Sequence, residues 1–174
     1  MTKSPSEILQ DLIRFDTTNP PGDERACIEY LERLFAEHGF ETNILALDPE
    51  RPNLVARLPG SGTSDPLLLY GHVDVVPTDG QQWDHPPFSG EIADGFVWGR
   101  GAIDMKGGLA MMATALLRIK ASGETPPGDL IFAAVSDEER GGVAGARFLV
   151  EEHPEEFVGA QYEIGEAGGF ATDV

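Results

Sequence analysis

The chain has 174 residues, with 30 acidic side chains against 12 basic ones and a formal charge of -18. That length accommodates one well-packed domain, and its 41% hydrophobic and 24% charged residues are ordinary for a soluble globular protein. The acidic excess argues against nucleic acid and against an anionic membrane surface as partners, because phosphate binding needs clustered Lys and Arg. Most of the carboxylates read as solubilising charge, and a few are candidate metal ligands. Cys27 is the single cysteine, which rules out an intrachain disulfide and fits a reducing compartment. The first residues lack the apolar stretch of a signal peptide, and no apolar run approaches the length of a membrane span. The cytoplasm is therefore the expected location.

In chain order, Ser4-Pro5-Ser6-Glu7 has the makings of a helix start, with Ser4 as cap, Pro5 at the first helical position and Glu7 completing a capping box. Ile8, Leu9, Leu12 and Ile13 follow at helical spacing. Thr17 to Gly22 is a break. A second helix is predicted from about Asp23 to His38, burying Cys27, Leu31, Leu34 and Phe35 and ending at Gly39. Short strands are predicted over Glu41–Leu47 and Asn53–Leu58. Leu67–Tyr70 is a continuous apolar run, as in a strand buried on both faces.

Val73 to Ser89 is a long loop rich in Pro and Asp, and such loops in compact domains are often functional. Glu91–Ile92 and Phe96–Trp98 flank Asp94-Gly95, a hairpin turn. A long helix from about Lys106 to Ser122 should bury Leu109, Met112, Ala113, Leu116 and Leu117 and end at Gly123. Leu130–Val135 reads as another buried strand, Val143–Glu151 as a helix stopped before Pro154, and Tyr162–Ile164 as a last short strand. Two helices followed by strands alternating with helices predict an α/β fold, a mixed, partly parallel sheet flanked by helices.

In open α/β sheets ligands sit at the carboxyl ends of strands. His72 follows Leu67–Tyr70, Glu138 and Glu139 follow Leu130–Val135, and Glu166 follows Tyr162–Ile164. A lone His at a strand end is more often a hydrogen-bonded residue than a ligand. Asp74 raises the odds: two residues on in an extended chain, it can receive the other imidazole N–H, the usual partner of a ligand His. Asp104 lies in a Gly-rich turn, Gly99 to Gly108, and reads either as a helix cap or as a ligand. That turn is not a phosphate loop, since it has neither glycine spacing such loops require. Glu138 and Glu139 read either as a solvated helix start or as a pair that divides metal binding from proton transfer. Glu166, in the Glu163 to Gly169 turn, is weak by itself.

Taken together, the segments Gly71-His72-Val73-Asp74-Val75-Val76-Pro77 and Gly99-Arg100-Gly101-Ala102-Ile103-Asp104-Met105-Lys106-Gly107-Gly108 are specific. With Leu12 to Gly22 and the Trp83 to Phe88 loop, they make the chain resemble the acetylornithine deacetylase/succinyl-diaminopimelate desuccinylase/carboxypeptidase-G-type zinc metallopeptidases over nearly its whole length. The resemblance implies two Zn2+ ions, with Co2+ or Mn2+ as possible substitutes. It implies His72 and Glu166 on the first zinc, Asp104 bridging both, Glu139 on the second, Glu138 as general base and Asp74 orienting His72. The implied reaction is hydrolysis of an amide in an N-acyl amino acid or small peptide.

Members of that family are considerably longer. The resemblance places residues 1–174 in the N-terminal portion of the catalytic domain, without the dimerisation (lid) domain or the C-terminal part. The second zinc of the family takes a later His, and none of His38, His85 and His153 occupies that position. The second site would then have only Asp104 and Glu139, and the isolated chain is expected to be impaired as a catalyst. The longer enzyme is expected to be a homodimer. The rival readings are a non-catalytic metal-binding or interaction module and a binuclear aminopeptidase of related fold.

Overall fold

A computed structural model of the chain describes residues 2–166. Helices α1 (Pro5–Ile13) and α2 (Arg25–Ala36) precede strands β1 (Glu41–Leu45), β2 (Asn53–Leu58) and β3 (Leu67–His72). A hairpin, β4 (Glu91–Ala93) and β5 (Phe96–Trp98), then leads into α3 (Lys106–Ser122) and β6 (Leu130–Val135). After a short turn of helix at Glu138–Arg140 come α4 (Phe148–Glu152) and β7 (Tyr162–Ile164).

The strands form one five-stranded sheet in the order β1-β2-β6-β3-β7. β2 runs antiparallel to both β1 and β6, whereas β3 runs parallel to β6 and to β7. The mixed, partly parallel sheet expected from the sequence is therefore present. β4 and β5 form a separate antiparallel ribbon.

Helices α1, α2 and α3 cover one face. Ile8, Leu12, Ile28, Leu31 and Phe35 pack with Leu109, Ala113, Leu116 and Leu117 against Leu54, Ala56, Leu69, Phe132 and Ala134 of the sheet. Removal of these apolar side chains from water, at about 25 cal/mol per Å², is the main favourable term holding the layers together. The start of α1 is as expected: the Ser4 hydroxyl accepts the N–H of Glu7, and the Glu7 carboxylate accepts the N–H of Ser4.

Two expectations need correction. The second helix spans Arg25–Ala36 rather than Asp23 to His38: Glu24 is its cap residue, its carbonyl accepting the Ile28 N–H while its carboxylate is taken by Arg51. The predicted helix Val143–Glu151 is not continuous. Val143–Arg147 forms a wide turn broken at Gly145, which has φ -103 and ψ -113, and regular α-helix begins only at Phe148. The cause is a close approach: a Cβ on Gly145 would lie 1.9 Å from the carbonyl oxygen of Ser136. Gly145→Ala must push this turn off the end of β6, and a loss of about 1–3 kcal/mol is expected from such overpacking. Urea denaturation would check it; wild-type stability would mean that the turn yields freely.

Candidate metal centre

β3 lies between β6 and β7 and is parallel to both, so three strands present their carboxyl ends along one edge. His72 is the last residue of β3, level with Val135 at the end of β6. Ile164 pairs with Leu69, so the chain just past β7 reaches the level of His72 within a few residues. Topology alone thus brings His72, Glu138, Glu139 and Glu166 to a common edge. The Ala167-Gly168-Gly169 part of the last turn lies outside the described residues.

Asp104 arrives from the other direction, in the turn before α3. The start of that helix falls on Met105, with no side-chain cap bond, so the capping alternative for Asp104 does not hold. Gly71 makes room for the turn: a Cβ there would lie 2.6 Å from the Met105 methyl and 3.0 Å from Leu109 Cδ2. A side chain at position 71 would have to displace the Met105 and Leu109 side chains that pack there, beside the turn that carries Asp104.

The imidazole of His72 is buried. Its Nδ1 donates to the backbone carbonyl of Asp74 at 2.9 Å, with Asp74 Oδ1 at 3.5 Å. Its Nε2 faces Asp104 Oδ1 at 3.1 Å, Glu166 Oε2 at 3.2 Å and Glu138 Oε2 at 3.8 Å. Ligand atoms of His72, Asp104 and Glu166 all lie within 4.8 Å of one another. Glu139 stands outside that group of three but close enough for its charge and that of Asp104 to interact.

The electrostatics show an excess of negative charge. Burial, then repulsion by Asp104, pushes the carboxyl groups of Glu139 and Glu166 above their usual range. Burial opposes protonation of His72, but hydrogen bonding to Asp74 and the charges of Asp74 and Glu138 outweigh it and push the imidazole up to about 9. Burial likewise tends to raise Asp74, but its hydrogen bonds with His72 and Asn19 hold it below the usual range. One imidazole nitrogen and several crowded carboxylates form a donor set that suits a divalent cation of the zinc type. A dication would relieve the repulsion.

Of the other histidines, His38 Nδ1 bonds to the Leu34 carbonyl, His85 to Glu91 and His153 to Glu155. None joins the group around His72 among the described residues. Sequence reasoning missed Asn19, Arg51 and Asp137, which lie behind the centre. A signal for Asn19 existed in the Leu12 to Gly22 segment, but nothing there marked it as a partner of Asp74.

Residues 68–172 match the model of peptidase family M20/M25/M40. The chain belongs to that family. The succinyl-diaminopimelate desuccinylase of Methylorubrum populi is 38% identical over 156 residues, which is 86% of this chain and 39% of that protein. Human carnosine dipeptidase 1 superposes with a TM-score of 0.82 at 21% identity, covering 95% of this chain and 38% of the other. An M20-family metallo-carboxypeptidase from Sulfolobus solfataricus superposes with a TM-score of 0.81 at 22% identity, covering 96% and 38%. At those identities the two structures establish the shared fold. The chain spans about 39% of the length of the desuccinylase it matches. Among the described residues of this M20/M25/M40 chain, no helix is long and apolar enough to cross a membrane.

Proposed function

We propose that the chain is the metal-binding portion of the catalytic domain of an amide hydrolase acting on N-acyl amino acids or small peptides. The observation that carries this reading is the presentation of His72 Nε2 to Asp104 and Glu166 at 3.1 and 3.2 Å, with Nδ1 held by Asp74. Desuccinylases among the relatives make N-succinyl amino acids the first substrates to try.

In this reading His72, Asp104 and Glu166 would hold one zinc, and Asp104 and Glu139 would serve a second. The metals, when bound, supply Lewis-acid polarisation of the scissile carbonyl and a nucleophile at neutral pH. Glu138 acts as general base: its carboxylate, half exposed beside His72, takes the proton of the attacking water and delivers it to the leaving nitrogen. Asp74 fixes the tautomer and direction of the His72 ring. A longer protein with this N-terminal portion would be a homodimer, its remaining chain completing the second metal site.

Equilibrium dialysis of the purified chain against zinc, with metal analysis, tests the site. One metal should bind clearly more tightly than a second, because in this reading only Asp104 and Glu139, among the described residues, are left for the latter; two equally tight sites would refute the assignment. A panel of N-succinyl and N-acetyl amino acids against amino-acid anilides tests the reaction. The metal-loaded chain is expected to turn over slowly or not at all by itself, and to gain activity towards the acylated substrates when the C-terminal portion of a longer relative is supplied. Fast turnover by the chain alone would overturn the incompleteness, and preference for anilides would favour an aminopeptidase. Tight binding of one metal with no activity under either condition would favour the non-catalytic module.

A further inference from the structure

Asp74, whose carbonyl accepts the imidazole N–H of His72, has a buried carboxylate with partners of its own. Its Oδ1 accepts the backbone N–H of Glu138 at 3.1 Å, and its Oδ2 accepts the N–H of Glu139 at 3.1 Å and Asn19 Nδ2 at 2.8 Å. One residue thus holds the ring of His72 through its backbone carbonyl, at 2.9 Å, and the turn that carries the two glutamates through its carboxylate. Asn19 Nδ2 also donates to Asp137 Oδ1 at 3.3 Å. Asp137 immediately precedes Glu138 and sits at φ 67, where residues other than glycine are uncommon.

Several groups keep Asp137 in that conformation. Its Oδ2 accepts the N–H of Ala144 at 3.1 Å, and its carbonyl accepts the N–H of Gly142 at 2.7 Å. Its Oδ1 also meets Arg51 Nη1 at 2.9 Å. Arg51 comes from the connection between β1 and β2 and is itself fixed by a fork on Glu24, with Nη2 at 2.7 Å and Nε at 3.1 Å from the carboxylate oxygens. Asn19, Glu24, Asp74 and Asp137 are all buried.

Two buried carboxylates facing one neighbour repel unless a donor stands between them or a cation backs one of them. Asn19 is that donor, and Arg51 is that cation. We infer that Asn19 and Arg51 are positioning residues that set the distance between Asp74 and the Glu138–Glu139 turn, and so preorganise the metal centre from behind. Neither is among the groups that face His72 Nε2. The inference rests on the metal-site reading above, and the test separates the two.

Asn19→Leu keeps the shape of the side chain and removes both donors. Amide hydrogen exchange of the metal-free chain, followed by NMR, reports on Glu138 and Glu139 directly, and competition titration reports zinc affinity. The variant should keep its far-UV circular dichroism, exchange the Glu138 and Glu139 amides at least about tenfold faster relative to those of β2 and β6, and bind zinc about 10–100-fold more weakly. A merely structural role would raise exchange throughout the sheet and leave the zinc affinity of the folded chain unchanged, which would overturn the inference. Wild-type protection at those two amides would also overturn it. If Asn19→Leu does not fold, Arg51→Lys, which keeps the charge but loses the fork, is read in the same way. Failure of the wild-type chain to bind zinc would sink the metal site, while the amide comparison would still decide the role of Asn19.

Discussion

Zinc binding by the chain should fall by on the order of a hundredfold or more when His72 is replaced by asparagine. The side-chain amide of asparagine can reach the place of Nδ1 and keep a bond to the Asp74 carbonyl, now 2.9 Å from the ring. It has nothing at the place of Nε2, the atom that faces Asp104 and Glu166. The variant therefore removes the donor atom Nε2 together with a ring carbon, and circular dichroism must show that the small cavity left at this buried position does not unfold the chain. Loss of a group that merely orients a ligand costs about 10–100-fold in affinity, so loss of the ligand itself should cost at least as much. Competition with a chromophoric chelator measures the change. His85→Asn is the control: that ring bonds to Glu91 and packs on Trp98, is not among the grouped ligands His72, Asp104 and Glu166, and should leave zinc binding unaltered. An affinity for His72→Asn within a few-fold of wild type would remove the support for the proposed function.

Arg51→Ala should cost about 3–5 kcal/mol of folding stability, the range for breaking a buried ion pair on one side. Arg51 joins two carboxylates largely removed from water: the Glu24 side chain is fully buried and that of Asp137 only 9% exposed. Removing the guanidinium leaves both anions without a counter-cation, Asp137 keeping only the N–H donors of Asn19 and Ala144. Burial already pushes the Glu24 carboxyl above its usual value, with the Arg51 hydrogen bonds opposing that effect. Without Arg51 the rise is larger, so the folded variant binds more protons than the unfolded chain above the ordinary glutamate pKa of about 4.3. Stability then falls as pH rises through that window. The deficit of Arg51→Ala relative to wild type should be larger at pH 7 than at pH 5. Urea unfolding at the two pH values checks both statements, and a deficit below about 1 kcal/mol at pH 7 would show that water or a rearranged side chain replaces the guanidinium.

Local patterns carried much of the fold into view. The capping box at Ser4 and Glu7, the apolar spacing of α1 and α3 and the runs of β3 and β6 are short-range features, and each produced the expected element. The break at Gly145 was not legible, because its cause is the Ser136 carbonyl, reached only when β6 and the following turn fold together. The roles of Asn19 and Arg51 were hidden for the same reason. Asn19 is 118 residues from Asp137 in the chain, and no periodicity or motif connects them.

By itself the sequence determined the class of the fold, the family signature and the residue types able to hold a metal, because these depend on spacing along the chain. Tertiary structure decided which of those side chains meet. Parallel pairing of β3 with β6 and β7 aligns their carboxyl ends, and the turn before α3, its Met105 side chain packed over Gly71, brings Asp104 to His72. It also supplied the buried struts behind Asp74, since donors and acceptors taken out of water must find partners wherever in the chain they lie.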